Sequence, residues 1–536
     1  MISGRHINAL LVFLSITTII SLWSLYLYRF APVIIVAAAA LTFIASKKID
    51  FGKEAISPAA LGIALLVALL AAYPFFLNNF VDASADPAAH ISSLAIGATM
   101  PQTYAPFSQF EYRYQIGFPL LAKAFIDVFP FATSNAIIWF LGILFAFLQA
   151  LLIYLAAKKF FAGEKAGLIA AALFVGSKIV FQNMYWGQYT FLMATVFFLA
   201  AALAFSGKSR LAWIYLPMAF ISHPGVAFYA LIFFALWAII NKDFPGTAKL
   251  FISGFLVIPA FFVSYIHFLT NIGAEQTAPL SPSLVGQAAS TFPLWIGGLI
   301  FILAACSLWR IGTRKDYSKI DLVLASSFVV SALLFIFFAA TGRVIAGRVI
   351  ELAMLSGLLL SANTLKTFLD ARKPLFVPAI LAILLISLGL FFTSGQLSQL
   401  REGTKITSDE ATFAHAFRGF DPEYKRTLFL LENGTKIAEV AQKIPVDVLS
   451  GWYLSYDPRI AGNDPYYEEA KRVHNLSQDA MSGNCPDCLE SLNQLGFDYL
   501  VSRDGNAAGE LGMKLVFEHN GYKVFAAPGN TPGNTA

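Results

Sequence analysis

Apolar stretches about as long as a bilayer is thick follow one another through most of this chain, and no other feature limits its fold so sharply. A helix crosses the hydrocarbon core in roughly twenty residues, and scanning with that length predicts about thirteen spans. They cover 8–28, 30–46, 57–77, 136–157, 166–182, 189–206, 211–222, 224–240, 248–269, 292–309, 320–341, 344–363 and 375–393. Backbone groups in lipid have no water to bond, so stretches of this kind fold as helices. The expected class is mostly α, a polytopic helical membrane protein. With 57% hydrophobic and 13% charged residues, the composition excludes an ordinary soluble domain.

The formal charge of +5 does not signal a nucleic-acid partner, because the cations stand in short clusters between apolar runs, where they set topology. With a cytoplasmic N-terminus, the inner loops hold Lys47, Lys48, Lys53, Lys158, Lys159, Lys165, Lys208, Arg210, Lys242, Lys249, Arg310, Arg314, Lys315, Lys319, Lys366, Arg372 and Lys373. The outer connections keep few cations, among them Arg29, Arg113, Lys123, Arg343 and Arg348. The first apolar run is too long for a signal-peptide core and reads as a retained span. One span, 211–222, is short and carries Pro217, and the SHPG turn at Ser222 to Gly225 parts it from the next. That composition fits a broken or half-inserted helix.

This topology makes residues 1–393 a transmembrane domain with one large outer loop, 78–135, and places 394–528 outside as a second domain. There the composition turns polar. Helical patterns at SDEATFAHAF and PYYEEAKRVHNL and apolar alternation at FDYLVS and KLVFEHNGYKVFAA predict a small α/β fold, its last two strands joined at HNG. The final residues, 529–536, read as a disordered tail.

The outer loop gathers Asp82, Asp86, His90, Glu111 and Arg113. Asp86 before Pro87 has the form of a helix N-cap, which sets His90 one turn along from it. A carboxylate in that place also suits a general base. The segment from Tyr112, YRYQIGFPLLAKAF, opens an apolar stripe that Lys123 and Asp127 interrupt, and it reads as lying on the membrane rather than crossing it. In the outer turn NMYWGQY, Trp186, Gly187 and Gln188 fit a shelf for a sugar as well as an interfacial belt. His223 stands at the SHPG break, and an ionisable group at membrane depth is a functional candidate.

In TGRVIAGRVIELA, Arg343 and Arg348 suit a lipid phosphate, and an Arg348 to Glu351 ion pair is the structural alternative. Lys178 is the clearest charge within a span. Cys306 lies in an apolar run as a small hydrophobe, whereas Cys485 and Cys488, outside, with two residues between them and no second Cys or His pair at metal spacing, read as a local disulfide rather than a metal half-site. Asn433 and Asn475 head glycosylation acceptor triplets.

The order of these parts resembles the C-type (GT-C) polytopic glycosyltransferases, which use a polyprenyl-phosphate-linked sugar. The likeness runs through DPAAH, Gly97 to Pro101, YQIGFPLL at Tyr114 to Leu121, WGQY, SHPG, GRVIELAMLSGLLLSA and the NGYKVF near the end. It implies Asp86 as base or metal ligand with Asp82 as substitute, His90 and Tyr114 beside the substrate, and Arg348 or Arg343 at the carrier phosphate. The chain departs from an adjacent acidic pair, since Asp82 and Asp86 are four apart. That departure leaves metal dependence open: the resemblance fixes no cofactor, and a divalent cation on those two residues is the one candidate.

The expected function is transfer of a sugar from the lipid phosphate to a glycan, lipid or protein acceptor at the outer face of a cell membrane. A membrane transporter, a cell-envelope assembly protein, or an oligosaccharyltransferase or ligase on the same scaffold are the alternatives.

Overall fold

A computed structural model describes residues 3–23, 31–48, 54–77, 116–129, 134–177, 183–184, 188–258, 282–314, 317–341, 346–370, 372–393, 406–421, 425–431, 437–438, 441, 443–445, 471–472, 474–476, 478–479, 497–503 and 513–526. A helix lies in every stretch expected to span. In chain order they are α1 Gly4–Trp23, α2 Ala31–Lys48, α3 Pro58–Leu77, α4 Gly117–Val128, α5 Ser134–Phe160, α6 Glu164–Val175, α7 Tyr189–Ser206, α8 Ala212–Ser222, α9 Pro224–Asn241 and α10 Phe244–Ile252. There follow α11 Pro282–Ile296, α12 Gly298–Arg314, α13 Lys319–Ala340, α14 Ala346–Asp370 and α15 Phe376–Thr393. Six of the described helices are long and apolar enough to cross a membrane, and one further bent pair joins them if counted as a span.

The bundle is centred on α7, where every residue from Tyr189 to Ala202 is buried. A helix apolar on all sides belongs inside a bundle, and its neighbours α5, α8 and α9 cover it. Close packing uses small residues. A Cβ at Gly142 of α5 would stand 2.7 Å from the Tyr189 ring, and one at Gly357 of α14 would stand 2.9 Å from Phe328. Many hydroxyls inside the bundle bond back to their own helix, as Thr195 does to the Phe191 carbonyl and Ser222 to that of Met218, which satisfies them without water.

The two ends of the bundle differ. At one end Lys159 donates to the Leu203 carbonyl, Lys165 pairs with Asp370 at 2.9 Å, Lys366 donates to the Phe161 carbonyl, and Trp237 meets Phe205. The C-terminal ends of α5, α7, α9 and α14 therefore lie together with cations assigned to inner loops. Their N-terminal ends lie at the other end.

The 211–222 and 224–240 stretches form two helices, as their separate spans predict, and of the two readings of SHPG the single broken helix falls away. Tyr215 of α8 and Tyr229 of α9 touch the adjacent residues Phe197 and Phe198 of α7, so the chain climbs and returns as a hairpin with His223 at its apex. Extended backbone at His223 and Pro224 at the first helical position make the reversal. The break falls instead between α11 and α12, bent by 98° at Gly297, whose φ of +91° lies in the left-handed region. Cys306 lies on the exposed side of α12, within the apolar run read from the sequence.

Beyond the bundle, a capping box of Thr407 and Glu410 starts α16, Ser408–Phe420. It covers a sheet of β1 Arg426–Leu430, β2 Ile444–Pro445, β3 Tyr499–Ser502, β4 Lys514–His519 and β5 Tyr522–Ala526 in the order β2-β1-β3-β5-β4. β1 runs parallel to β2 and β3, while β5 runs antiparallel to β3 and β4. The HNG turn forms as read, with positive φ at Asn520 and Gly521, the geometry of a tight hairpin. Phe413, Phe417, Phe429, Val501, Tyr522 and Val524 make a core separate from that of the bundle.

Candidate functional site

Three motifs from distant parts of the chain meet at the end of the bundle away from the lysines. The first is IGFP. Ile116 precedes α4, and a Cβ at Gly117 would stand 2.9 Å from both Ile221 Cγ1 and Ser222 Oγ. Only glycine lets α4 press its first turn against the top of α8. The second is the GQY turn, in which the Gln188 N–H donates to the Asn183 carbonyl at 2.7 Å and Gln188 begins α7. Phe118 stacks on Tyr189 with ring centres 5.4 Å apart, joining the first motif to the second. The third is SHPG. His223 stands edge-on to Phe191 at 5.1 Å, and its Nδ1 accepts from the Gly225 N–H at 3.1 Å. An accepting Nδ1 carries no proton, so in this arrangement the ring proton is on Nε2.

The N-terminal ends of α4, α7 and α9 thus gather around His223. Helix N-termini hold backbone N–H groups in excess of acceptors and carry the positive end of the helix dipole. A place where several converge favours an anion. Asn183, entirely buried, has neither amide atom hydrogen-bonded among the described residues.

α14 reaches the same level. Its hydroxyl contact from Ser356 to Tyr229 of α9 sets the two helices side by side. Counting back at about 1.5 Å per residue, Glu351 stands about as far above Ser356 as His223 stands above Tyr229. Glu351 is buried, and Arg348 lies one turn nearer the helix start.

The α4 segment corrects an expectation. It does not rest on the bundle surface, since Gly117 to Ala122 and Ala124 are all buried against α1, α5, α7 and α8. Lys123 and Asp127 pair with each other across one turn on the half-exposed side, which neutralises the charges that argued for a surface position.

Of the residues singled out in the sequence, Gln188 and His223 are brought together here, both nearly buried. Arg348 is placed only through its backbone in α14. Asp82, Asp86, His90, Glu111, Arg113, Tyr114, Lys178, Trp186, Arg343, Asn433, Cys485 and Cys488 lie outside the described residues, and Asn475 belongs to a short helical segment. The carboxylates that would hold a divalent cation are among those outside. Within the described residues no three His, Cys, Asp or Glu side chains gather as a metal site. Sequence reasoning missed Phe191 and Gly142 as parts of the site and quoted Gly117 only as one residue of YQIGFPLL. Phe191 follows the WGQY motif by two residues, whereas nothing local marks Gly142.

No family model matches the sequence, and no curated protein matches it. Among solved structures, ArnT from Cupriavidus metallidurans bound to undecaprenyl phosphate is similar with a TM-score of 0.53 at 10% identity, over 87% of this chain and 97% of that one. The oligosaccharyltransferase of Archaeoglobus fulgidus in its apo form gives a TM-score of 0.45 at 14% identity, over 83% of this chain and 70% of that one. At such identities the likeness is one of fold. The chain is a polytopic membrane protein with the fold of the C-type glycosyltransferases and a small sheet in its C-terminal region.

Proposed function

We propose that the protein is a membrane glycosyltransferase that takes a sugar from a polyprenyl-phosphate donor and gives it to a hydroxyl of a glycan, lipid or protein acceptor. The observation that carries the reading is the convergence of three helix N-termini around His223, at the end of the bundle away from the lysines, on a fold shared with a protein that binds undecaprenyl phosphate. A lipid phosphate is an anion at the depth where those helices begin. The gathering of Lys159, Lys165 and Lys366 at the opposite end supports an orientation with the site and the C-terminal domain, 394–528, outside the cell.

In this reading Asp86, or Asp82 in its place, takes the proton of the acceptor hydroxyl. The acceptor oxygen attacks the anomeric carbon of the donor as the bond from that carbon to the phosphate oxygen breaks, so the centre inverts. The electron pair leaves with the polyprenyl phosphate. Arg348 and Arg343, with the helix N-termini, offset its growing charge. His90, Tyr114, Trp186, Gln188 and His223 shape the substrate site in this reading. A divalent cation, if one acts here, would be held by Asp82 and Asp86 and would neutralise phosphate charge.

The test is transfer of radiolabelled sugar from a panel of polyprenyl-phosphate sugars by the purified protein in lipid, with Asp86→Asn and Asp82→Asn alongside. Loss of transfer in one variant, with the fold retained, supports the enzyme and assigns the carboxylate. If the wild type transfers nothing while host membranes do, and both variants complement a deletion strain, a transporter or assembly protein leads.

A further inference from the structure

We infer that Tyr229 is a positioning residue for this site, an inference that rests on the function proposed above. Its hydroxyl meets the Ser356 hydroxyl, and Ser327 and Ser331 of α13 line the same spot. All four are buried, Tyr229 at 3% exposure and Ser356 at 2%. The surroundings are apolar: Phe198, Leu199, Phe233, Leu324, Leu355 and Leu359 border a cavity of about 10 Å³ beside them. Four hydroxyls have no reason to gather there for burial alone.

Their placement between the two helices gives the reason. α9 carries His223 six residues before Tyr229, and α14 carries Glu351 five residues before Ser356, with Arg348 a turn further out. Leucine and alanine stripes slide past one another in lipid with little change in apolar burial, whereas a hydroxyl pair closes at a single register. The Tyr229–Ser356 hydrogen bond ties α9 to α14. Other polar contacts of α14 lead elsewhere, Ser361 and Thr364 to α12 and Asn363 to α13. Tyr229 therefore holds His223 level with Glu351 and Arg348, and a misplacement of about 1 Å at a reacting centre lowers the rate by as much as about a hundredfold.

The experiment compares Tyr229→Phe, Ser356→Ala, their double variant and Ser361→Ala in the full-length protein in lipid. Ser361 bonds the Ile300 carbonyl of α12, which carries no group of the site, so it matches Ser356 in kind but not in consequence. The expected result is about a tenfold fall in kcat for Tyr229→Phe and for Ser356→Ala, with no further fall in the double variant and donor KM changed less than kcat. Ser361→Ala should stay within about twofold of wild type on the same reasoning. Equal losses in Tyr229→Phe and Ser361→Ala, or a full kcat in Tyr229→Phe, would overturn the inference.

A second measurement is independent of transfer. Spin labels at Ile239→Cys and Phe368→Cys, both exposed ends of these helices, report the α9 to α14 distance in a background with Cys306→Ser. Tyr229→Phe should shift or broaden that distance, and an unchanged distribution sinks the positioning role. A wild type that transfers from no donor, with the shift present, rejects the proposed function and leaves Tyr229 as the residue that sets the register.

Discussion

The bundle and the C-terminal sheet bury polarity in opposite ways. Inside the bundle the buried polar groups are mostly hydroxyls that bond their own helix or one neighbour, as Ser15, Thr18 and Thr195 do, with the carboxylates of Asp321 and Glu351 among the exceptions. The sheet domain instead buries a lysine completely. Lys443 is 0% exposed, donates to the Asp421 carbonyl at 2.6 Å, lies 3.6 Å from its carboxylate, and sits 4.9 Å from the Phe417 ring. A domain that folds in water can desolvate a lysine beside a carboxylate, a carbonyl and aromatic faces. A bundle in lipid satisfies many of its hydroxyls within the helix, and its helices are joined by close approach through glycine and by hydroxyl contacts such as Tyr229 to Ser356.

Lys443→Ala probes the comparison most strongly. Removing one partner of a buried pair costs about 3 to 5 kcal/mol, enough to unfold a small domain. Limited proteolysis should release the C-terminal domain while the bundle keeps its thermal midpoint. A coincident loss of both would show that the two are one cooperative unit.

Gly117→Ala is the matching break in the bundle. The new Cβ would stand 2.9 Å from Ile221 and Ser222, which costs about 1 to 3 kcal/mol. Transfer should fall by more than tenfold as α4 withdraws from His223. Gly419→Ala, where nothing lies within 4 Å of the added carbon, should leave both stability and transfer intact.

A smaller loss is expected for His223→Ala, which removes the acceptor for the Gly225 N–H and the edge contact to Phe191, at about 1 kcal/mol for a lost cap. Asparagine in its place should restore the melting temperature and not the transfer rate. Recovery of both would make His223 a cap alone.

The smallest effect concerns pH in the sheet domain. Burial raises the Tyr522 hydroxyl above the ordinary tyrosine value, Glu410 nearby adds to the rise, and Arg503 opposes it. The folded domain then keeps this proton after the unfolded chain, with its value near 10, has lost it. Its contribution is whole below that pH and is lost as pH rises through the higher folded value. Tyr522→Phe should flatten the alkaline fall in the domain's stability, and an unchanged slope would place the titration elsewhere.

The helices were legible because apolar length is a local property, set residue by residue along the chain. The α4 segment was misplaced because Lys123 and Asp127, read singly, look solvated, and only a three-dimensional neighbour relation shows that they neutralise each other. At His223 the sequence offered two spans with a turn between them and also a single broken helix. Pro217 and SHPG mark a break equally well whether the chain goes on or turns back, and Tyr215 and Tyr229 meeting α7 side by side decide it. In the sheet domain, β5 and its turn carried period-two alternation and Asn-Gly, whereas β1 and β2 are short parallel strands whose partners lie far along the chain. Of the site, the sequence picked out Gln188 and His223 but not the glycines that let three helix ends converge there.

The most direct measurement is photocrosslinking of the purified protein in lipid with a polyprenyl phosphate that carries a diazirine next to its phosphate, followed by peptide mapping. Label on residues 116–118, 188–191, 221–226 and 346–351, competed by unmodified polyprenyl phosphate and not by a neutral polyprenol, is the predicted outcome. Label confined to the lysine end around Lys159, Lys165 and Lys366, or equal competition by the polyprenol, would contradict the placement of the phosphate among the helix N-termini.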